Sequence, residues 1–252
     1  MSGWRAARLE AGAGVPPASA VLAALGEVGV VVIEGAELSD RAFADFLETL
    51  GPLTFTDGET PLAGEPRLNF VTNVGRATPP RSVFHTDTSY VSAPPAFTAL
   101  KGHRIPESGG ETVFTNLFDA HDRLDPALRE RLRGARLLHR VTGVDPGAGK
   151  ETETWHPLLR RHPVSGKVAL WLSTPERCVA LELRDGTRAD AMVPDLYAHA
   201  TDPAHAWRHV WRGGEVLIWD NRCTLHRGDH SRTVGERVLH RGMVAGEAPL
   251  AA

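Results

Sequence analysis

Residues 84–90 read FHTDTSY. His85 and Asp87 stand two positions apart, and in an extended segment a period of two sends both side chains to one face. A neutral imidazole and a carboxylate on one side of a cavity supply two groups of a 2-His-1-carboxylate facial triad. That triad suits Fe(II), because it leaves coordination positions open. A hydrogen-bonded polar pair on an ordinary strand uses the same two residues. The pair therefore carries chemistry only if a third ligand and an anchor for a second molecule come from elsewhere in the chain.

Among the remaining histidines, His226 stands out for the third position. It follows the apolar run EVLIWD, sits in NRCTLHRG and has a glycine two residues later. His240, on the next strand-like run ERVLHRGMV, and His103 are the alternatives. His139, His156 and His162 lie beside basic residues or in loops and read as surface or packing residues. An open Fe(II) site chelated by a dicarboxylate also needs a fixed cation for the far carboxylate, best met by the fork of an arginine. Arg237 comes 11 residues after His226, and Arg241 four residues later. Positions 237, 239 and 241 share one face of a strand, so both guanidinium groups can point inward. The competing arrangement places both on an outer face in salt bridges with Glu236 or Asp229.

The elements that must position these residues are mostly short strands. VGVVVIEG reads as a buried strand, and RLNFVTNVG, AFTALKGHRI and ETVFTNL as further ones. AWRHVWR, GEVLIWDNRCTLHRG and ERVLHRGMVAG follow in the C-terminal third. WHPLLRRHPVSGKVALWLS has the pattern of a hairpin turned at PVSGK. Helices are expected over Ala18–Gly26, after an N-cap at Ser39, after Asp125 with Pro126 at the first helical position, and in DGTRADAMVPDLYAHATD. Residues 143–155 (GVDPGAGKETETW) show no period and read as a lid loop. The strands do not alternate with helices throughout, which argues against a doubly wound fold. The expected class is mainly β with flanking helices, a double-stranded β-helix (jelly roll), formed by residues 1–252 as a single domain.

Composition narrows the partners. The 252 residues are 42% apolar and 23% charged, with a formal net charge of −3. No global basic field is present to attract nucleic acid or an anionic membrane. The longest apolar run, GVVVI, is far too short to span a bilayer, and no apolar segment follows the first residues before the Pro-Pro at 16–17. Two cysteines, Cys178 and Cys223, make no disulfide framework and fit a reducing, cytoplasmic setting. The expected partner is a small-molecule substrate, with neither nucleic acid nor membrane, and a homo-oligomer is compatible with this composition.

Four segments in order, HTDTSY, SGGETVFTN, HPLLRRHPVSGKVALWLS and WDNRCTLHRGDHSRTVGERVLHRGMVAG, resemble the taurine/α-ketoglutarate dioxygenase family of Fe(II)- and 2-oxoglutarate-dependent oxygenases. The resemblance covers the chain from about residue 81 onward, whereas the N-terminal third is generic. It implies that His85, Asp87 and His226 hold iron. It also implies that Arg237 and the hydroxyl of Thr112 bind the remote carboxylate of 2-oxoglutarate. Arg241 would face an anionic group of the primary substrate or the metal-bound end of the cosubstrate. Thr112 read by itself is only a β-branched strand residue.

The implied activity consumes O2 and converts 2-oxoglutarate to succinate and CO2 while an unactivated C–H bond of a small anionic or amino-acid-like substrate is oxidised. Hydroxylation is the default outcome; desaturation, cyclisation and oxidative cleavage use the same ligands. Retention of Asp87 disfavours halogenation, since related halogenases have a small residue there. Arg81 departs from the pattern, because taurine-using members resemble one another in having an amide at that place, so taurine itself is not the expected substrate. Arg81 either adds an anion contact or is a solvated turn residue after TPPR. Phe84, Trp171 and Trp219 are candidate apolar walls. A metal-dependent hydrolase or a non-catalytic metal-binding β-domain would share the His/Asp/His set but would not require Arg237 and Thr112.

Overall fold

In the computed structural model, which describes residues 4–12, 14–76 and 82–252, the strand Val30–Glu34 shows how the layers form. Its sequence VVVIE is apolar on both faces. Val30 and Val32 point into an inner layer with Leu100, Phe114, Trp211, Leu217, Trp219 and Leu239. Val31 and Ile33 point outward to pack with Val21, Leu25, Phe43 and Leu47 of two covering helices. Each such fully buried aliphatic side chain contributes about 2 kcal/mol by removal from water.

The major sheet runs in the order Ala7–Glu10, Val30–Glu34, Val216–Asp220, Phe97–Arg104, Val238–Val244, Glu65–Thr72, Pro61–Leu62. Leu53–Thr54 adds to the end of Val238–Val244. Its pairings are antiparallel apart from the parallel first pair. Facing it is a smaller sheet of Trp207–His209, Thr112–Asn116 and Thr224–Gly228. These two sheets enclose the inner layer, as a jelly roll requires. A hairpin of Leu159–Arg161 and Val168–Leu170, and a three-stranded sheet of Cys178–Glu182, Arg136–Arg140 and Glu153–Pro157, pack with short helices around a further core.

The helix Ala18–Val28 runs past the expected stop at Gly26 and ends at Gly29. Gly29 takes φ +80, and a Cβ there would come within 2.9 Å of Cys223 Sγ, so the close approach requires glycine. Helix Asp40–Glu48 begins where expected, with the Ser39 hydroxyl accepting from Ala42 N–H at 3.1 Å. Asp125 likewise caps Pro126–Arg131. The run GEVLIWDNRCTLHRG is two strands, broken at Asn221–Cys223, and each strand belongs to a different sheet. The irregular 143–155 segment ends earlier than expected, because Glu153–Pro157 pairs with Arg136–Arg140. Among the described residues no helix is long and apolar enough to cross a membrane.

Candidate active site

His226 lies on Thr224–Gly228 of the smaller sheet, and His85 reaches it by an isolated antiparallel bridge. His85 N–H donates to His226 O at 2.9 Å, and His226 N–H donates back at 3.0 Å. The two rings lie 4.3 Å apart. Asp87 does not continue a strand; it enters a turn whose next residue, Thr88, has φ +43, the one positive φ outside glycine among the described residues. Its Oδ1 stands 3.5 Å from His85 Nε2 and 3.8 Å from His226 Nε2. One ligand atom from each of the three falls within 4.8 Å of the other two.

The surroundings leave these three atoms free to face one another. His85 Nδ1–H donates to Val83 O at 2.9 Å, which keeps the Nε2 lone pair available. His226 is held by packing, with Trp219 at 4.4 Å and Phe114 at 6.2 Å between ring centroids. Asp87 Oδ2 accepts from Thr98 Oγ1 at 2.7 Å. Asn221 Nδ2 donates to that hydroxyl at 2.9 Å, and Trp219 Nε1 donates to Asn221 Oδ1 at 3.1 Å. This relay occupies one carboxylate oxygen and leaves Oδ1 for a cation. Burial pushes His226 down to about 3, so its ring is neutral at ordinary pH. Burial opposes ionisation of Asp87, but the nearby Arg241 guanidinium favours the carboxylate, and its carboxyl lies below the usual carboxylate range. Two convergent imidazoles and one carboxylate are a fitting donor set for Fe(II).

A cavity of about 130 Å³ beside this cluster is lined by His85, His226, Thr112, Trp219, Arg237 and Arg241, among others. Arg237 is 2% exposed, yet among the described residues it has no carboxylate within ion-pair reach. Glu236 pairs instead with Arg104, and Asp229 with Arg208 and Arg227, so the outer-face arrangement does not occur. Arg237 Nε donates to Gly110 O at 2.7 Å and Nη2 to Thr112 Oγ1 at 3.3 Å. Burial alone pulls its pKa down to about 10, the mark of a guanidinium lacking an anion. Gly110, at φ +71, has to be glycine here: a Cβ would sit 2.9 Å from Arg237 Cδ. Thr112 Oγ1 also accepts from Trp211 Nε1 at 3.1 Å. With both lone pairs engaged, its own hydrogen is free to donate into the cavity.

Arg241 lines the same cavity, but its charge is answered. It donates through Nη2 to Glu59 and through Nε to Asn69 Oδ1 at 3.0 Å. The strand register sets Asn69 directly opposite Arg241.

Known proteins share this frame. Residues 16–243 match the taurine catabolism dioxygenase TauD, TfdA family. The chain belongs to that family. It is 29% identical over 175 residues to the alpha-ketoglutarate-dependent 2,4-dichlorophenoxyacetate dioxygenase of Burkholderia sp. (strain RASC), covering 65% of this chain and 58% of that protein. It is 31% identical over 185 residues to the alpha-ketoglutarate-dependent sulfate ester dioxygenase of Pseudomonas putida, covering 66% and 60%. The alignments thus span about 60% of the length of these curated relatives. A crystal structure of a taurine dioxygenase from Burkholderia xenovorans superposes with a TM-score of 0.78 at 29% identity, covering 93% of this chain and 83% of that one.

Within this TauD/TfdA frame, several expected placements change. Arg81 lies outside the described residues. Phe84 and Trp171 are not cavity walls: both belong to the core around the short helices, and of the three aromatic candidates only Trp219 lines the cavity. His240 and His103 stack on one another at 4.5 Å, and His240 Nδ1 meets Asp40 at 2.7 Å, so neither is a ligand. Of the two readings of His139, His156 and His162, surface or packing, the second holds, since all three are buried. Glu59, Asn69, Thr98, Asn221 and Trp211 are the site residues that the sequence reading passes over.

Proposed function

We propose that this chain is an Fe(II)- and 2-oxoglutarate-dependent dioxygenase that oxidises an unactivated C–H bond of a small molecule. The reading is carried by one observation: a buried, uncompensated Arg237 opens into the same cavity as three convergent metal-ligating atoms. A hydrolytic zinc site or a passive metal-binding domain gives no reason to bury an unpaired guanidinium there. The names of the two curated relatives, both alpha-ketoglutarate-dependent dioxygenases, support the same cosubstrate.

His85, Asp87 and His226 hold the metal. When bound, Fe(II) with 2-oxoglutarate and O2 supplies the oxidising power, with one oxygen atom appearing in succinate and the other, by default, in a hydroxylated product. Arg237 receives the far carboxylate of 2-oxoglutarate as a bidentate fork, and Thr112 donates its free hydroxyl hydrogen to the same group. Thr98 fixes the orientation of Asp87. Trp219 presses on His226 and keeps water from one side of the cavity. Hydroxylation is the primary outcome proposed, with desaturation, cyclisation or oxidative cleavage as variants on the same ligands. The site works within one domain, and two unpaired buried thiols support a reducing, cytoplasmic setting.

An anaerobic titration tests this. Fe(II) and 2-oxoglutarate together should produce the weak visible charge-transfer band of the chelate, and subsequent exposure to O2 should release succinate. No band with the wild-type protein would overturn the proposal.

A further inference from the structure

The turn that carries Asp87 has Thr88 in the left-handed region, at φ +43. Such a conformation persists only where the surroundings fix it. Here they are the sheet of Arg136–Arg140, Glu153–Pro157 and Cys178–Glu182 and the residues 172–177 that lead into it. Thr86 N–H donates to Ser173 Oγ at 3.3 Å, and the Thr86 hydroxyl donates to Leu172 O at 3.2 Å. His139 Nδ1 meets Ser89 Oγ at 2.9 Å, and His156 Nε2 donates to Val91 O at 2.9 Å. Burial keeps both rings neutral, so these contacts carry no charge.

Arg177 differs. Its Nη1 donates to Thr86 O at 3.0 Å, the carbonyl of the peptide that joins Thr86 to Asp87. The guanidinium carbon lies 5.7 Å from the centre of the Tyr90 ring, and Nη2 reaches Thr142 Oγ1 at 3.4 Å. The turn is thus gripped at both ends, at Thr86 by a charge-assisted bond and at Tyr90 by a ring face. Nε is buried without a partner, and among the described residues no carboxylate forms an ion pair with this side chain. The main chain beneath is fixed, since Arg177 N–H donates to Thr174 O at 2.9 Å and Arg177 O accepts from Arg140 N–H at 2.8 Å. A neutral side chain fills such a space at less cost than an unpaired cation, so the charge and the fork have a task here.

We propose, resting on the dioxygenase reading above, that Arg177 is a positioning residue for the iron site. By pinning the Thr86–Asp87 peptide it sets the direction in which the Asp87 side chain leaves the main chain, and so keeps Oδ1 facing the two Nε2 atoms. Thr98 fixes the same carboxylate at its other oxygen; Arg177 fixes it from the backbone. The sign of the effect separates this role from that of a bystander charge. A cation near a metal site repels the incoming ion, so its removal by itself tightens metal binding. Removal of a clamp weakens binding, because the carboxylate must then be ordered as the ion arrives.

The test compares Arg177→Met, which keeps the stem and removes charge and donors, with Arg177→Lys, which keeps the charge but replaces the fork by a point. Leu181→Ala is the control, since it removes a fully buried side chain from the same sheet and none of the hydrogen bonds above. Co(II) serves as the probe: its affinity is titrated and its visible d–d band recorded, with urea unfolding of each protein alongside. Arg177→Met should bind Co(II) about tenfold more weakly and with a shifted band, and Arg177→Lys about threefold more weakly. Leu181→Ala should keep wild-type affinity and band at a lower urea midpoint. The proposal fails if Arg177→Met binds Co(II) as tightly as the wild type or more tightly, or if Leu181→Ala weakens binding as much. Should Arg177→Met not fold, Arg177→Lys decides, and wild-type affinity with an unshifted band in that variant overturns the role. The wild-type chelate band with Fe(II) and 2-oxoglutarate is recorded first. Its absence fails the dioxygenase reading, whereas a band together with unaltered Co(II) binding in Arg177→Met fails only the positioning role.

Discussion

Among the described residues two clusters bring metal-ligating groups to close range. One is His85, Asp87 and His226; the other is His162, Asp220 and Cys223. Residue types do not separate them, but hydrogen bonds do. Arg222 donates to both Asp220 oxygens, through Nε at 2.8 Å and Nη2 at 2.6 Å, and His162 Nε2 donates at 3.0 Å. His162 Nδ1 accepts from the backbone N–H of Ser165 at 3.1 Å, so that ring has no lone pair to offer. Burial pushes the Cys223 thiol far above its ordinary range, which disfavours the thiolate a metal needs. Asp87, by contrast, keeps one oxygen free between two available Nε2 atoms. Readiness for a metal lies in acceptors left open, and the second cluster is a closed structural network.

The largest expected contrast comes from removing each carboxylate. Asp87→Ala should lower Fe(II) affinity more than about 100-fold and abolish succinate release, and His226→Ala should do the same. Asp220→Ala should keep one iron per chain but lower the unfolding free energy by about 3–5 kcal/mol, because buried Arg222 loses its two-point carboxylate and keeps only the longer contact to Glu247 at 3.4 Å. Metal analysis after dialysis, alongside urea titration, measures both; loss of iron from Asp220→Ala would break the distinction. Next in size, Arg237→Ala should weaken 2-oxoglutarate binding by about 2–5 kcal/mol, and Arg237→Lys should recover only part of it, since a point charge replaces a fork. Thr98→Val leaves Asp87 Oδ2 without its donor and should weaken iron binding about tenfold, with 2-oxoglutarate affinity at saturating iron little changed.

The smallest effect per step is in pH. Burial holds His139 well below its ordinary value and His156 at about 4, against 6.5 in an open chain. Between about pH 6.5 and 4 the unfolded chain takes up protons that the folded rings refuse, so stability falls as pH drops through that window. Each ring should contribute roughly 1.4 kcal/mol per pH unit where its difference is fully developed. Urea titrations at pH 7 and 5 should show this slope, and His156→Gln should flatten it.

What was legible in the sequence followed periodicity. The spacing of four between Arg237 and Arg241 places both on one cavity, beside an apolar run that forms a strand. His85 and Asp87 converge by another route, a single bridge followed by a turn, and not through the period of a strand. Asn69 is 172 residues from Arg241, and Asn221 is 123 from Thr98. Their roles arise from register between strands and from one turn, which no local pattern encodes. The buried histidines left two readings open, surface or packing, for a related reason. In Arg136–Arg140 the two arginines alternate outward while Leu137 and His139 turn inward, so a basic neighbour marks the opposite face and not the surface position of the histidine itself.

The bridge that joins His85 to His226 has a thermodynamic consequence. Its two backbone hydrogen bonds align both imidazoles before any ion arrives, and Thr98 fixes the carboxylate beside them. Capture of iron then needs little further ordering of the chain, so its binding free energy is available for affinity instead of for folding. The metal-free protein should consequently melt as a native, cooperative fold, unlike a zinc finger, and should be able to lose and regain its ion repeatedly without unfolding.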